Sequence, residues 1–105
     1  MKEEKSSSDN TLAALVEKAA GYGANELEIE YRDGYEEICA MKNGMGVGIA
    51  QLESSSEEAC ALREELSRIG KKGKGITAGV KSFLLKVSTY ESFGETAYRV
   101  KIQGK

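Results

Sequence analysis

Residues Gly23-Ala24-Asn25-Glu26-Leu27-Glu28-Ile29-Glu30-Tyr31 decide the fold of this chain. The stretch begins where a helical pattern ends on glycine, and it then alternates strictly between glutamate and apolar residues. Side chains two residues apart lie on the same face of a strand, so Leu27, Ile29 and Tyr31 share one face and the glutamates share the other. A slip of one residue in register would expose all three apolar side chains. We therefore predict a strand with one buried and one solvated face.

The segment before this strand has the spacing of an amphipathic helix. Its apolar residues recur at helical intervals, and they are Leu12, Leu15, Val16, Ala19 and Ala20. Ser8, Asp9 or Asn10 offers an N-cap side chain, and Gly21 and Gly23 end the helix. Residues 1–8 mix Lys, Glu and Ser without periodicity, which predicts a disordered N-terminal lead before one α+β domain over residues 9–105.

Two turn signals follow the opening strand. Asp33-Gly34 stands between alternating runs and predicts a hairpin to a second strand over residues 35–41, and Asn43-Gly44 predicts a turn into a third run. In that run Met45, Val47, Ile49 and Leu52 alternate with Gly44, Gly46 and Gly48. A face of three glycines favours close packing or a bulged edge strand, with a ligand approach as the alternative.

The second half of the chain repeats the change from helix to strands. Ser55 and Glu58 form a capping box for a helix that buries Ala59, Leu62, Leu66 and Ile69 and ends at Gly70. A basic loop over residues 71–75 leads to strands near residues 80–90 and 96–102. We predict an antiparallel sheet of four to five strands with both helices on one face, in the order α-β-β-(β)-α-β-β.

Length and composition narrow the functional classes. A chain of 105 residues fits one domain, and its net charge of −2 gives no signal for nucleic acid or membranes. No apolar run approaches 20 residues, so we expect no membrane insertion. Cys39 and Cys60 follow no secretory signal, which predicts reduced core thiols in a cytoplasmic protein. Histidine, the commonest general base, is absent.

Two charged stretches are candidates for binding. The first is an acidic row of Glu26, Glu28 and Glu30, with Glu36 and Glu37 across the predicted hairpin. We interpret it as a solvated sheet face able to pair with Arg99 and Lys101; a metal site or an acid–base pair is the alternative. Residues 69–76, Ile-Gly-Lys-Lys-Gly-Lys-Gly-Ile, resemble the phosphate-clamping loop of KH domains. The residues after this loop indicate coil and strand where a KH domain has a helix. Single-stranded RNA or other nucleic acid, bound through loop 70–75, is therefore only the alternative function.

With this organisation established, three stretches resemble the N-terminal PAS-like domain of the secretion ATPase superfamily, which powers type II secretion and type IV pilus assembly. The first covers residues 15–30 and is similar to that family's A-x-x-x-G-A-S-D-I-H-I-E signature. The second, Asp33-Gly34 with residues 41–44, stands where the family has its hairpin turn and R-I-D-G. The third, Lys86-Val87-Ser88-Thr89 with Phe93-Gly94-Glu95, resembles R-V-S-T and H-G-E. Together they imply a PAS-like fold from Leu12 to Ile102.

The departures from the family are informative. Family arginines that face nucleotide phosphate align with Glu37, Cys39 and Met41 here, and Lys86 replaces the arginine of R-V-S-T. Lysine keeps the charge without the bidentate fork, and Glu37 would repel phosphate. No RecA-like ATPase domain follows in this sequence. The resemblance thus implies a stand-alone scaffold without nucleotide chemistry.

We therefore expect a non-catalytic interaction or regulatory module. It would dock on a secretion or pilus motor component, or associate with itself as a homo-oligomer. We expect no catalytic, cofactor-binding or metal residues. The candidate phosphate or partner contacts are Lys86, Lys71, Lys72 and Lys74.

Overall fold

The computed structural model of the protein describes residues 7–104, which form two successive helix-plus-three-strand units. In chain order the elements are α1 (Ser7–Gly21), β1 (Glu26–Arg32), β2 (Tyr35–Lys42), β3 (Met45–Glu53), α2 (Glu57–Ile69), one 3-10 turn (Gly70–Lys72), β4 (Lys74–Ala78), β5 (Lys81–Ser92) and β6 (Glu95–Gly104). None of the helices in this part of the chain has the length and apolar character needed to cross a membrane.

All six strands belong to one antiparallel sheet with the order β3-β2-β1-β6-β5-β4. The α+β class is confirmed, whereas the predicted number of four to five strands is wrong. The missed strand is β4, which begins inside the predicted basic loop over residues 71–75 and continues past it to Ala78. Lysine and glycine disfavour strands locally, but Ile76 lies opposite Phe83 and this pairing with β5 organises the segment.

Two-residue turns set the register of the sheet. Asp33 and Gly34 have φ values of 51° and 88°, and Asn43 and Gly44 have φ values of 52° and 81°. Positive φ at both central positions is what a type I′ turn requires, so both predicted hairpins are confirmed. Phe93 occupies the same position in the β5–β6 turn at φ 52°, although a bulky residue is strained there.

The core lies between one face of the sheet and both helices. Leu27 and Ile29 are fully buried, as their alternation predicts. Tyr31 is 37% exposed instead, because it lines an open cleft at the end of β1. Of the predicted apolar helix positions, Ala20 is half-buried against the core and the rest are buried in it: Leu12, Leu15, Val16, Ala19, Ala59, Leu62, Leu66 and Ile69. Strand β6 adds Tyr98, Val100 and Ile102 to the same core.

The helix boundaries differ from the prediction at both N-termini. Because α1 already includes Ser7, the three proposed N-cap residues, Ser8, Asp9 and Asn10, lie inside the helix. Residues 1–6 of the predicted lead are outside the described residues. In α2 the N-cap is Ser56, whose Oγ accepts a hydrogen bond from the Ala59 N–H at 3.1 Å, so the predicted cap at Ser55 is wrong by one residue.

The glycines of β3 have separate structural reasons. A Cβ on Gly46 would lie 2.7 Å from Met41 Sδ, so Gly46 makes room for that side chain. The register shifts beside Gly48, where Ile49 is inserted as a bulge. The predicted bulge is confirmed. The predicted close packing of another backbone is wrong, because the neighbour of Gly46 is the Met41 side chain and no atom lies within 4 Å of a Cβ on Gly48. Gly44 belongs to the turn and not to the strand.

Candidate functional site

The face of the sheet opposite the helices, the open face, carries the acidic row. Glu28 pairs with Arg99 at 3.3 Å, as predicted across β1 and β6, and the Arg99 guanidinium lies 4.7 Å from the centroid of the Tyr90 ring. The Tyr90 hydroxyl donates to Glu30 at 2.7 Å. Burial, followed by that hydrogen bond, raises the pKa of Tyr90 well above its usual range. These groups hold one another in place.

The open face also carries Cys39 and the carboxylates of Glu26 and Glu37. Among the side chains of residues 11–104, no three of His, Cys, Asp or Glu are grouped to hold a metal ion. Burial, with the charges of Glu37, Glu28 and Glu30, raises the pKa of the Cys39 thiol, which disfavours the nucleophilic thiolate. Cys39 and Cys60 are both free, but Cys39 is half-buried and Cys60 is exposed, so neither is a core thiol.

The outer edge of β3 is an uncharged strand edge that no other described strand covers. Within residues 7–104, β3 pairs only with β2, and no charged residue occurs between Met45 and Leu52. Met45 is 75% exposed and Val47 is 49% exposed. An exposed apolar edge of this kind is a template for pairing with another strand. Sequence analysis missed this site, although the uncharged run was visible.

The register determines which backbone groups the edge presents. The pair Lys42–Met45 closes the two-residue turn and is hydrogen-bonded, so Met41–Gly46 and Cys39–Gly48 are non-hydrogen-bonded pairs. The N–H and C=O groups of Gly46 and Gly48 therefore point outward. Since neither glycine has a side chain, an approaching backbone meets no steric obstruction at these groups.

The opposite edge of the sheet differs in length and charge. β4 has five residues, begins at Lys74 and is preceded by Lys71 and Lys72. Lys81 follows it after the turn. Short edge strands with lysines resist pairing with other chains. The contrast makes β3 the better strand-pairing edge.

The bulge limits the length of the free edge. At the bulge, Lys18 Nζ on α1 donates a hydrogen bond to the carbonyl oxygen of Ile49 at 3.1 Å. A bulge twists the strand and interrupts its ladder. The regular pairing surface is therefore Met45–Gly48, which we call the β3 edge.

The four lysines proposed as contacts divide into two groups. Lys74 Nζ lies 3.0 Å from the Glu65 carboxylate and is thus engaged within the fold. Lys86 lies directly opposite Lys101, a neighbour that sequence analysis assigned to the acidic row, and a Cβ on Gly73 would lie 3.1 Å from Lys86 Cγ. This contact brings the loop after Lys71 and Lys72 against β5. With the side chains of residues 11–104, no ion pair within 4.0 Å is formed by Lys71, Lys72, Lys86 or Lys101.

Glu36 lies on the helix side and is only 4% exposed, so its predicted place in the solvated acidic row is wrong. Its Oε2 accepts hydrogen bonds from Arg63 at 2.9 Å and from Ser54 Oγ at 2.8 Å, which joins β2 to α2 and the segment before it. Glu36 is in phase with Ile38 and Ala40, the buried positions of β2, and this phase was the available sequence signal.

No protein-family model matches this sequence, and no curated protein shows significant similarity to it. The resemblance to the secretion ATPase N-terminal domain therefore depends on the quoted residues alone.

Proposed function

We propose that this chain is a non-catalytic interaction module that binds a protein partner through the β3 edge. The observation that carries the proposal is an uncharged edge whose outward backbone groups belong to Gly46 and Gly48. In strand addition, main-chain hydrogen bonds supply affinity and alternate side chains supply specificity. Met45 and Val47 would contact apolar residues at alternate positions of the added strand.

We propose a module without catalysis because the polar side chains of the open face are engaged with one another. Glu28 and Tyr90 are engaged with Arg99 and Glu30, and the conditions around Cys39 favour its thiol. Glu37 and Cys39 stand at positions that align with phosphate-facing arginines of the resembled family. A carboxylate there opposes phosphate binding.

The partner we propose follows from the resemblance: a secretion or pilus motor component, bound by a PAS-like domain that has lost its nucleotide contacts. The matched stretches keep their order from Leu12 to Ile102, which supports that choice. A second copy of the chain is the other partner that an uncharged edge accommodates.

A site-specific photocrosslinker tests this proposal. Benzoylphenylalanine replaces Val47 on the β3 edge or, as a matched control, Val80, which is 98% exposed at the β4–β5 turn. We expect a defined adduct from position 47 only, containing either a motor component or a second copy. We also expect Gly48→Pro to abolish it, since the Gly48 N–H points outward and a Cβ there meets nothing within 4 Å.

Equal adducts from both positions, or an adduct that survives Gly48→Pro in a folded variant, would refute binding at the β3 edge. An adduct with a protein outside secretion and pilus assembly would support binding at the β3 edge. It would refute the motor component as the partner.

One observation favours nucleic acid as the second candidate function. Directly opposed like charges destabilise a sheet, so Lys86 and Lys101 would gain from a bound anion. Lys71 and Lys72 add charge in the adjoining loop. Fluorescence anisotropy with single-stranded RNA should show binding that weakens with salt and is lost in Lys86→Gln/Lys101→Gln, but not in Lys81→Gln. Absence of binding at low salt would exclude this function.

A further inference from the structure

A polar cleft opens on the helix side of the sheet, at the end where the β1–β2 and β5–β6 hairpins turn. Its volume is about 410 Å³, within the size range of small-molecule sites. Tyr31 and Glu36 are direct cross-strand neighbours in its wall, and Tyr98 and Glu95 approach from β6. The cleft lies apart from the β3 edge.

Glu36 contributes a buried carboxylate with one oxygen to spare. Both of its hydrogen bonds, from Ser54 Oγ and Arg63, go to Oε2. Oε1 has no hydrogen-bond partner among residues 11–104. No fully buried side-chain polar atom of these residues lacks a partner, so Oε1 is not fully buried. Oε1 is therefore accessible from the cleft and can accept a hydrogen bond from a ligand.

Arg63 is committed to the protein itself. One terminal nitrogen binds Glu36, and the other donates to the Ser54 carbonyl oxygen at 3.1 Å and to Cys60 Sγ at 3.3 Å. Its charge is neutralised by Glu36, so the cleft is a poor anion site. The exposed Glu95, which has no ion pair within 4.0 Å among the described residues, leaves the lining with a net negative charge.

We infer that this cleft binds an alkylammonium group. The cation would donate a hydrogen bond to Glu36 Oε1 and gain from the charge of Glu95. Tyr31 and Tyr98 line the same cleft, and aromatic faces attract cations. This site does not depend on strand addition, so either hypothesis can fail alone.

NMR titration of the ¹⁵N-labelled chain tests the site, with n-butylammonium as the probe and butyrate as its charge-reversed match. We expect saturable shifts at the amides of Glu36, Ser54 and Thr96 with n-butylammonium alone. Glu95→Gln should weaken binding about fivefold, the effect of losing one exposed charge. Glu91→Gln, which changes an exposed β5 glutamate outside the lining, should bind as the wild type does.

Glu36→Gln provides a second variant, and its spectrum reports folding directly. If it folds, it should bind the probe more weakly than the wild type; unchanged affinity would overturn the inference. If it does not fold, Glu95→Gln and the butyrate comparison decide. Equal shifts with butyrate, unchanged affinity in Glu95→Gln, or no shift with n-butylammonium would each overturn the site.

Discussion

Lys18 Nζ donates a hydrogen bond of 3.1 Å to the backbone carbonyl oxygen of Ile49, the bulged residue of β3. This contact ties α1 to the second half of the edge strand. It also engages a backbone carbonyl at the bulge, which ends the regular part of the strand. The same contact therefore stabilises the fold and defines where the β3 edge ends.

Lys18→Met should destabilise the protein by about 1 kcal/mol, because it keeps the aliphatic stem and removes a charged donor from a half-buried carbonyl. Urea unfolding of this variant and of the control Lys71→Met, which changes an exposed lysine, measures the difference. Equal midpoints for the two variants would show that the Lys18 contact contributes nothing.

Glu36→Ala should cost about 2 kcal/mol, because it leaves the Arg63 charge without its partner. Arg63 is 30% exposed, and water therefore compensates part of the loss. The double variant Glu36→Ala/Arg63→Met should be less destabilised than the sum of the two single variants. A double-mutant cycle by urea unfolding checks this, and strict additivity would contradict a direct interaction.

Stability should depend on the ionisation of Glu65 in acid. Hydrogen bonds from Lys74 and Arg68 hold the pKa of this carboxyl below its ordinary value of 4.5. The unfolded chain therefore takes up the proton at higher pH than the folded chain. The stability that ionised Glu65 contributes is fully present above pH 4.5 and is lost as the pH falls through the folded pKa. Thermal unfolding of Glu65→Gln should lose this part of the acid dependence, whereas Glu64→Gln should retain it.

Phe93→Asn should stabilise the protein by about 1 kcal/mol, because asparagine accepts the left-handed conformation that Phe93 holds at φ 52°. Phe93 is 95% exposed, so little burial is lost. Phe93→Leu keeps a bulky apolar residue at this φ, so it should not raise the free energy of unfolding. Thermal unfolding that ranks leucine at or above asparagine would contradict strain in this turn.

Local patterns predicted much of the fold because they coincide with burial. Alternation placed Leu27 and Ile29 in the core, and Asp33-Gly34 matched its turn. Strand β4 was missed because its lysine and glycine residues carry little local strand preference, and only pairing with β5 determines its structure. Registers between distant strands cannot be obtained from periodicity alone.

The candidate sites were less predictable for the same reason. The pairing of Lys86 with Lys101 and the engagement of Lys74 by Glu65 depend on which strands become neighbours. The free β3 edge depends on strand order, which a sequence pattern does not supply. Glu36 was wrongly placed in the solvated acidic row, although it is in phase with the buried positions Ile38 and Ala40 of β2.

Amide hydrogen exchange at Gly46 and Gly48 tests binding at the β3 edge most directly. Their outward N–H groups should exchange rapidly in the free chain, and the N–H of Thr77 on the opposite edge provides a matched control. When the chain is bound to the protein that crosslinks at position 47, or is self-associated, we predict slower amide exchange at Gly46 and Gly48. The exchange of the Thr77 amide should not change. Unchanged exchange at both glycines in a saturated complex would contradict strand addition.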